Sequence, residues 1–130
     1  MNKTSQERVK RNKTLDRFCG TKMTYEPVES FYFDAMLYND QEKFIGIAKI
    51  FSKPGNFGNS PIVEISKEDL DMLYELGLFM RKVPAVVVKW RNKITYFRLE
   101  HTEFEIIEKT LRDKIVKLYL IPITEFKICS

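Results

Sequence analysis

The chain has 130 residues, 44% hydrophobic and 31% charged, with a formal net charge of +4. That length suits one globular core and leaves little room for a second. No apolar run reaches the ~20 residues of a bilayer span, and the polar, basic start from Lys3 onward does not read as a secretory leader. Cys19 and Cys129 lie near opposite ends and His101 is the lone histidine. These exclude a disulfide framework and a zinc site built on several histidines, and the expected compartment is a reducing cytoplasm.

Residues 4–19 read as a helix, capped by Thr4 or Ser5 and stopped at Gly20. Its apolar stripe is thin (Val9, Leu15, Phe18, Cys19), which predicts a helix at the edge of the core. A short strand is predicted near Met23–Tyr25. Residues 30–38 read as one strand, with Phe31, Phe33, Ala35 and Leu37 on one face and Tyr32, Asp34 and Met36 on the other. Residues 43–52 form the next strand, with Ile45, Ile47, Lys49, Phe51 and Lys53 on a common face. Asn39-Asp40-Gln41 supplies turn chemistry between the two, so an antiparallel hairpin is predicted.

Residues 53–61 hold two glycines and two prolines and read as an exposed loop on which Phe57 stays accessible. Ile62–Ile65 is a short strand, and Ser66 opens a helix with Asp69 three residues on as a capping-box variant. The run Ala85-Val86-Val87-Val88 has the character of a central strand buried on both faces. Arg91-Asn92-Lys93 turns it into Ile94–Leu99, where Trp90 and Tyr96 read as packing residues. Strand, loop, helix and buried strand make a crossover that puts 43–52 and 85–90 in one mixed sheet. Residues 103–112 read as a short helix and Ile115–Ile121 as the last strand. The expected class is therefore α/β, a single mixed sheet flanked by helices, in one domain over 1–130.

Charge is uneven along the chain. Residues 1–22 form a basic N-terminal helical segment with seven basic residues against Glu7 and Asp16, a net of +5, while the remainder nets −1. Such a segment either meets phosphates or is a solvated helix face.

Three stretches carry a family resemblance: Phe33-Asp34-Ala35, Gly46-Ile47-Ala48-Lys49-Ile50-Phe51-Ser52-Lys53, and Pro84-Ala85-Val86-Val87-Val88 leading to Ile94-Thr95-Tyr96. With the order of elements around them, they resemble the PD-(D/E)XK nucleases, the restriction-endonuclease-like fold shared by archaeal Holliday-junction resolvases. Leu120-Ile121-Pro122-Ile123-Thr124-Glu125-Phe126 also looks like the close of small phage-encoded nuclease-like proteins. The resemblance implies an Asp and a Glu holding Mg²⁺, with a Lys two residues past the Glu. The metal supplies an activated water and charge stabilisation.

On that pattern Asp34 and Lys49 are the catalytic candidates, but Glu-x-Lys is degenerate. If Lys49 is the lysine, Ile47 stands at the Glu position. If the Gly-Ile-Ala stretch sets the register, Lys49 itself replaces the Glu and Phe51 the Lys. Glu64 and Glu7 are the carboxylates that can stand in, and Asp34 with Glu64 is the candidate metal pair. A metal-free reading sets Asp34 against Lys49 as an ion pair. Arg8, Lys10, Arg11 and Lys53 are the candidate nucleic-acid contacts. Three functions follow. The first is a nuclease fold that binds nucleic acid, DNA foremost, or a protein, with catalysis lost or weakened and no cofactor. The second is an active Mg²⁺-dependent endonuclease with a migrated carboxylate. The third is a structural protein of phage origin in the host cytoplasm.

Overall fold

A computed structural model describes residues 3–129, so both ends of the expected 1–130 domain and the first two residues of the 1–22 basic segment lie outside the described residues. Helix α1 spans Ser5–Cys19 and opens on a complete capping box. Thr4 Oγ1 accepts the Glu7 N–H while the Glu7 carboxylate accepts the Thr4 N–H, and Gly20 ends the helix at φ 56°. Strands β1 (Thr24–Pro27), β2 (Ala35–Tyr38) and β3 (Phe44–Ser52) follow, then β4 (Ile62–Ser66), α2 (Lys67–Met80), β5 (Ala85–Lys89) and β6 (Ile94–Arg98). Strands β7 (Glu105–Leu111) and β8 (Lys114–Pro122), a 3-10 turn at Ile123–Glu125 and β9 (Lys127–Ile128) complete the chain.

The expected mixed sheet has six strands in the order β1-β2-β3-β5-β6-β9. The crossover pairs β3 with β5 in parallel, Ala48 opposite Ala85, and the hairpin β2–β3 is antiparallel. Strands β4, β8 and β7 form a second, antiparallel sheet that the sequence reading did not separate from the first. The helix expected over 103–112 is strand β7. Its partner β8 is reached through Arg112 and Asp113, both at positive φ (49° and 65°), the conformation a tight hairpin turn requires.

Two cores sandwich the six-stranded sheet. On one face Leu15 and Cys19 of α1 meet Ala35, Leu37, Ala48 and Val87. On the other, Leu70 and Leu73 of α2 meet Ile47, Val86 and Val88, together with Val63, Ile65 and Ile121 of the second sheet. Val86, Val87 and Val88 alternate between the cores, as period-two geometry demands of a strand covered on both sides. Where α2 ends, Gly77 lies so close to Pro84 that an added Cβ would sit 2.6 Å from its ring carbons.

The strand expected over 30–38 is only Ala35–Tyr38. Its first half leaves the ladder at Asp34. The Asp34 N–H donates to the Ala48 carbonyl at 2.8 Å, and its own carbonyl accepts the Val28 N–H at 2.9 Å. Lys49 Nζ donates to the Phe31 carbonyl at 2.6 Å. Alternation therefore breaks at Asp34: Phe33 packs on the α2 side and Ala35 on the α1 side. The loop 53–61 does not leave Phe57 exposed as expected. Its ring packs 5.7 Å from Trp90 and 6.2 Å from Phe126, centroid to centroid, while Trp90 Nε1 donates to Thr95 Oγ1 at 3.0 Å.

Candidate nucleic-acid interface

A cleft of about 650 Å³ opens between α1 and the far ends of β3 and β5. Asp34 lies in its wall with Ile50 and Ser52 of β3 beside it. Only 8% of Asp34 is exposed, and its oxygens are engaged. Oδ2 accepts the Ile50 N–H at 2.7 Å, and Oδ1 lies 3.6 Å from Lys3 Nζ. A buried carboxylate needs such partners, since an unpaired one is costly.

The α1 end of the chain brings Lys3, Lys10, Arg11 and Lys13 to this cleft; the strand ends and turns bring Lys53, Lys89 and Arg91. Against these seven cations stand two carboxylates, Asp34 and Glu7, a net of +5. Glu7 is occupied by its cap: its hydrogen bonds with Thr4, side chain first and then backbone, hold its carboxyl below the ordinary glutamate range. Arg11 is 8% exposed. Its Nε donates to Asn12 Oδ1 at 3.1 Å, and among the described residues its buried Nη1 has no hydrogen-bond partner. The nearest acid to that nitrogen is Glu29, 3.6 Å away, which already accepts from Arg8 Nε at 2.9 Å. Burial lowers the pKa of Lys53; Glu64 opposes that effect and Lys109 adds to it.

Of the residues predicted from sequence, the structure gathers Asp34, Lys10, Arg11 and Lys53 into one cleft. Arg8 is turned to Glu29. Lys49 is on the α2 side, its Nζ 5.6 Å from the Phe51 ring, and among the described residues the ion partner of Asp34 is Lys3. Glu64 belongs to the second sheet and pairs with Lys109 at 2.6 Å. The break at Asp34 explains the separation. Unbroken alternation puts Asp34 on the Lys49 face, whereas the actual backbone turns it toward Ile50 and Ser52. Lys13, Lys3, Lys89 and Arg91 were not singled out as contacts. The spacing of Lys10 and Lys13, three apart and therefore on one helix face, was the available signal for the first.

These donors do not fit a divalent cation. Hard cations take several oxygen ligands. Here one carboxylate is already hydrogen-bonded, the other caps a helix, and apolar Ile50 is the neighbour of Asp34 on β3. No three His, Cys, Asp or Glu side chains cluster as a metal site among the described residues. What the cleft offers is a concentration of positive charge over a partly apolar floor, suited to an anionic backbone.

No family model and no curated protein matches the chain. Among solved structures it is similar to Hjc of Archaeoglobus fulgidus, described as a Holliday junction resolvase from an archaeal hyperthermophile. The TM-score is 0.53 at 12% identity, over 89% of this chain and 84% of that one. Two helices on opposite faces of a six-stranded mixed sheet, and this likeness across most of both chains, show that the protein has a resolvase-like, restriction-endonuclease-like α/β fold.

Proposed function

We propose that the protein is a nuclease-fold nucleic-acid-binding module, with DNA as its foremost partner, in which catalysis is lost or weakened. One observation carries this reading: the cleft that holds Asp34 sets seven cations against two carboxylates, both already engaged. Lysine and arginine at that density bind phosphates by charge and counterion release. The similar archaeal protein is a Holliday junction resolvase, which makes branched DNA a natural ligand to try.

A second reading, a Mg²⁺-dependent endonuclease, is favoured by one fact: Glu7 and Asp34 line the same cleft. Release of Glu7 from its cap would give two carboxylates without recourse to Glu64. Lys49, on the α2 side of the sheet and outside the cleft lining, would take no part in it.

The deciding experiment has two arms. Plasmid, linear and branched DNA are incubated with Mg²⁺ or Mn²⁺ beside Asp34→Asn, and affinity for the same DNAs is measured across a salt series. The leading reading expects no cleavage and affinity that falls steeply with salt. Cleavage abolished in Asp34→Asn establishes the endonuclease. Absence of DNA binding at low salt turns the search to a protein partner.

A further inference from the structure

We infer that the cleft beneath α1 seats a phosphate group directly against the Arg11 guanidinium, with no divalent cation between them. The inference rests on the nucleic-acid reading and deepens it by naming how the backbone is held. Its starting point is the disagreement between fold and donor set: the cleft carries an aspartate but lacks the surroundings of a metal ligand.

Arg11 supplies the donor for that seat. Its side chain is more than nine-tenths buried and lines the cleft, and among the described residues its Nη1 makes no hydrogen bond, its ion partner Glu29 standing 3.6 Å away. A buried donor without a hydrogen bond is destabilising, and a guanidinium presents a planar fork of donors matched to phosphate oxygens. Glu29 offsets part of the Arg11 charge from 3.6 Å but accepts a hydrogen bond from Arg8 instead. Asn12 fixes the other edge of the group through Nε, so the fork is held in place before a ligand arrives. Lys10 and Lys53 stand on the same cleft, and their charges favour an anion and oppose the entry of Mg²⁺.

The test uses the full chain and a fluorescent DNA duplex titrated at low salt, once in EDTA and once in Mg²⁺. Inorganic phosphate serves as competitor, and the assigned Arg11 Nε–H resonance is followed by NMR. The affinity in EDTA should equal or exceed that in Mg²⁺, because Mg²⁺ competes for the same phosphates. Phosphate should compete and shift the Arg11 resonance. Arg11→Gln should bind roughly tenfold or more weakly, and Arg11→Lys should recover only part of that loss. Binding that vanishes in EDTA overturns the inference and leaves the proposed function standing. An Arg11 resonance unmoved by bound DNA also overturns it, and that measurement needs no variant to fold. If the duplex binds in neither buffer, the proposed function fails. A phosphate-induced shift at Arg11 then still supports the seat, and no shift removes it.

Discussion

The carboxylate of Asp34 accepts the backbone N–H of Ile50 at 2.7 Å, so one side chain both faces the cleft and completes the hydrogen bonding of a central strand. Asp34→Ala should therefore destabilise the fold by about 1–3 kcal/mol, the cost of orphaning a buried donor. Asp34→Asn keeps an acceptor and should lose much less. Urea denaturation of both variants checks this; equal losses would show that the Ile50 contact contributes little.

Gly77→Ala should destabilise by about 1–3 kcal/mol, because the new Cβ meets Pro84 ring carbons at 2.6 Å and the Lys82 carbonyl at 2.7 Å. The contact joins the end of α2 to the start of β5. A melting temperature equal to that of the wild type would mean the junction yields freely.

Lys53 separates stability from binding. Burial depresses its pKa below 10.5, so between that lowered value and 10.5 the unfolded chain holds the extra proton and stability rises with pH. Lys53→Met removes the burden of a half-buried charge. It should be as stable as the wild type at neutral pH or more so, while the slope of log affinity against log salt falls by about 0.7–0.9 for one lost phosphate contact. A less stable variant with an unchanged slope would contradict both halves.

Cys19 should act in the opposite direction at alkaline pH. Burial, reinforced by Asp16 and Cys129, pushes its thiol from 9.0 up to about 11. From pH 9 to about 11 the unfolded thiol ionises while the folded one does not, so this group withdraws stability as pH rises. Native protein should also resist thiol alkylation at Cys19 near pH 8 and react once unfolded. Mass spectrometry after a brief alkylation in and out of denaturant reads this directly.

Much of the fold was legible because its signals are local. The Thr4 cap, the β-branched run 85–88 and the Asn39 turn each depend on residues a few places apart. Asn39 Oδ1 does accept the N–H groups of Gln41 and Lys43, both at 2.9 Å. What was not legible depends on distant partners. Glu105-Ile106-Ile107-Glu108 satisfies a helical spacing, and only pairing with β8 makes it a strand. Arg112-Asp113 carries none of the glycine or asparagine that usually marks such a turn. At the candidate site, the cations of α1 followed from composition. The face presented by Asp34 did not, because a single backbone hydrogen bond to Ala48 overrides the period-two rule there.

The parallel pairing of Ala48 with Ala85 has a kinetic consequence. The β2–β3 hairpin can close as soon as residue 52 exists, but the other edge of β3 stays open until loop, β4 and α2 have been made and folded back. Non-local parallel pairing of this kind slows folding and leaves an apolar edge available to wrong partners meanwhile. Chains truncated before Ala85 should accordingly aggregate through β3, and refolding should be limited by the docking of β5 rather than by either hairpin.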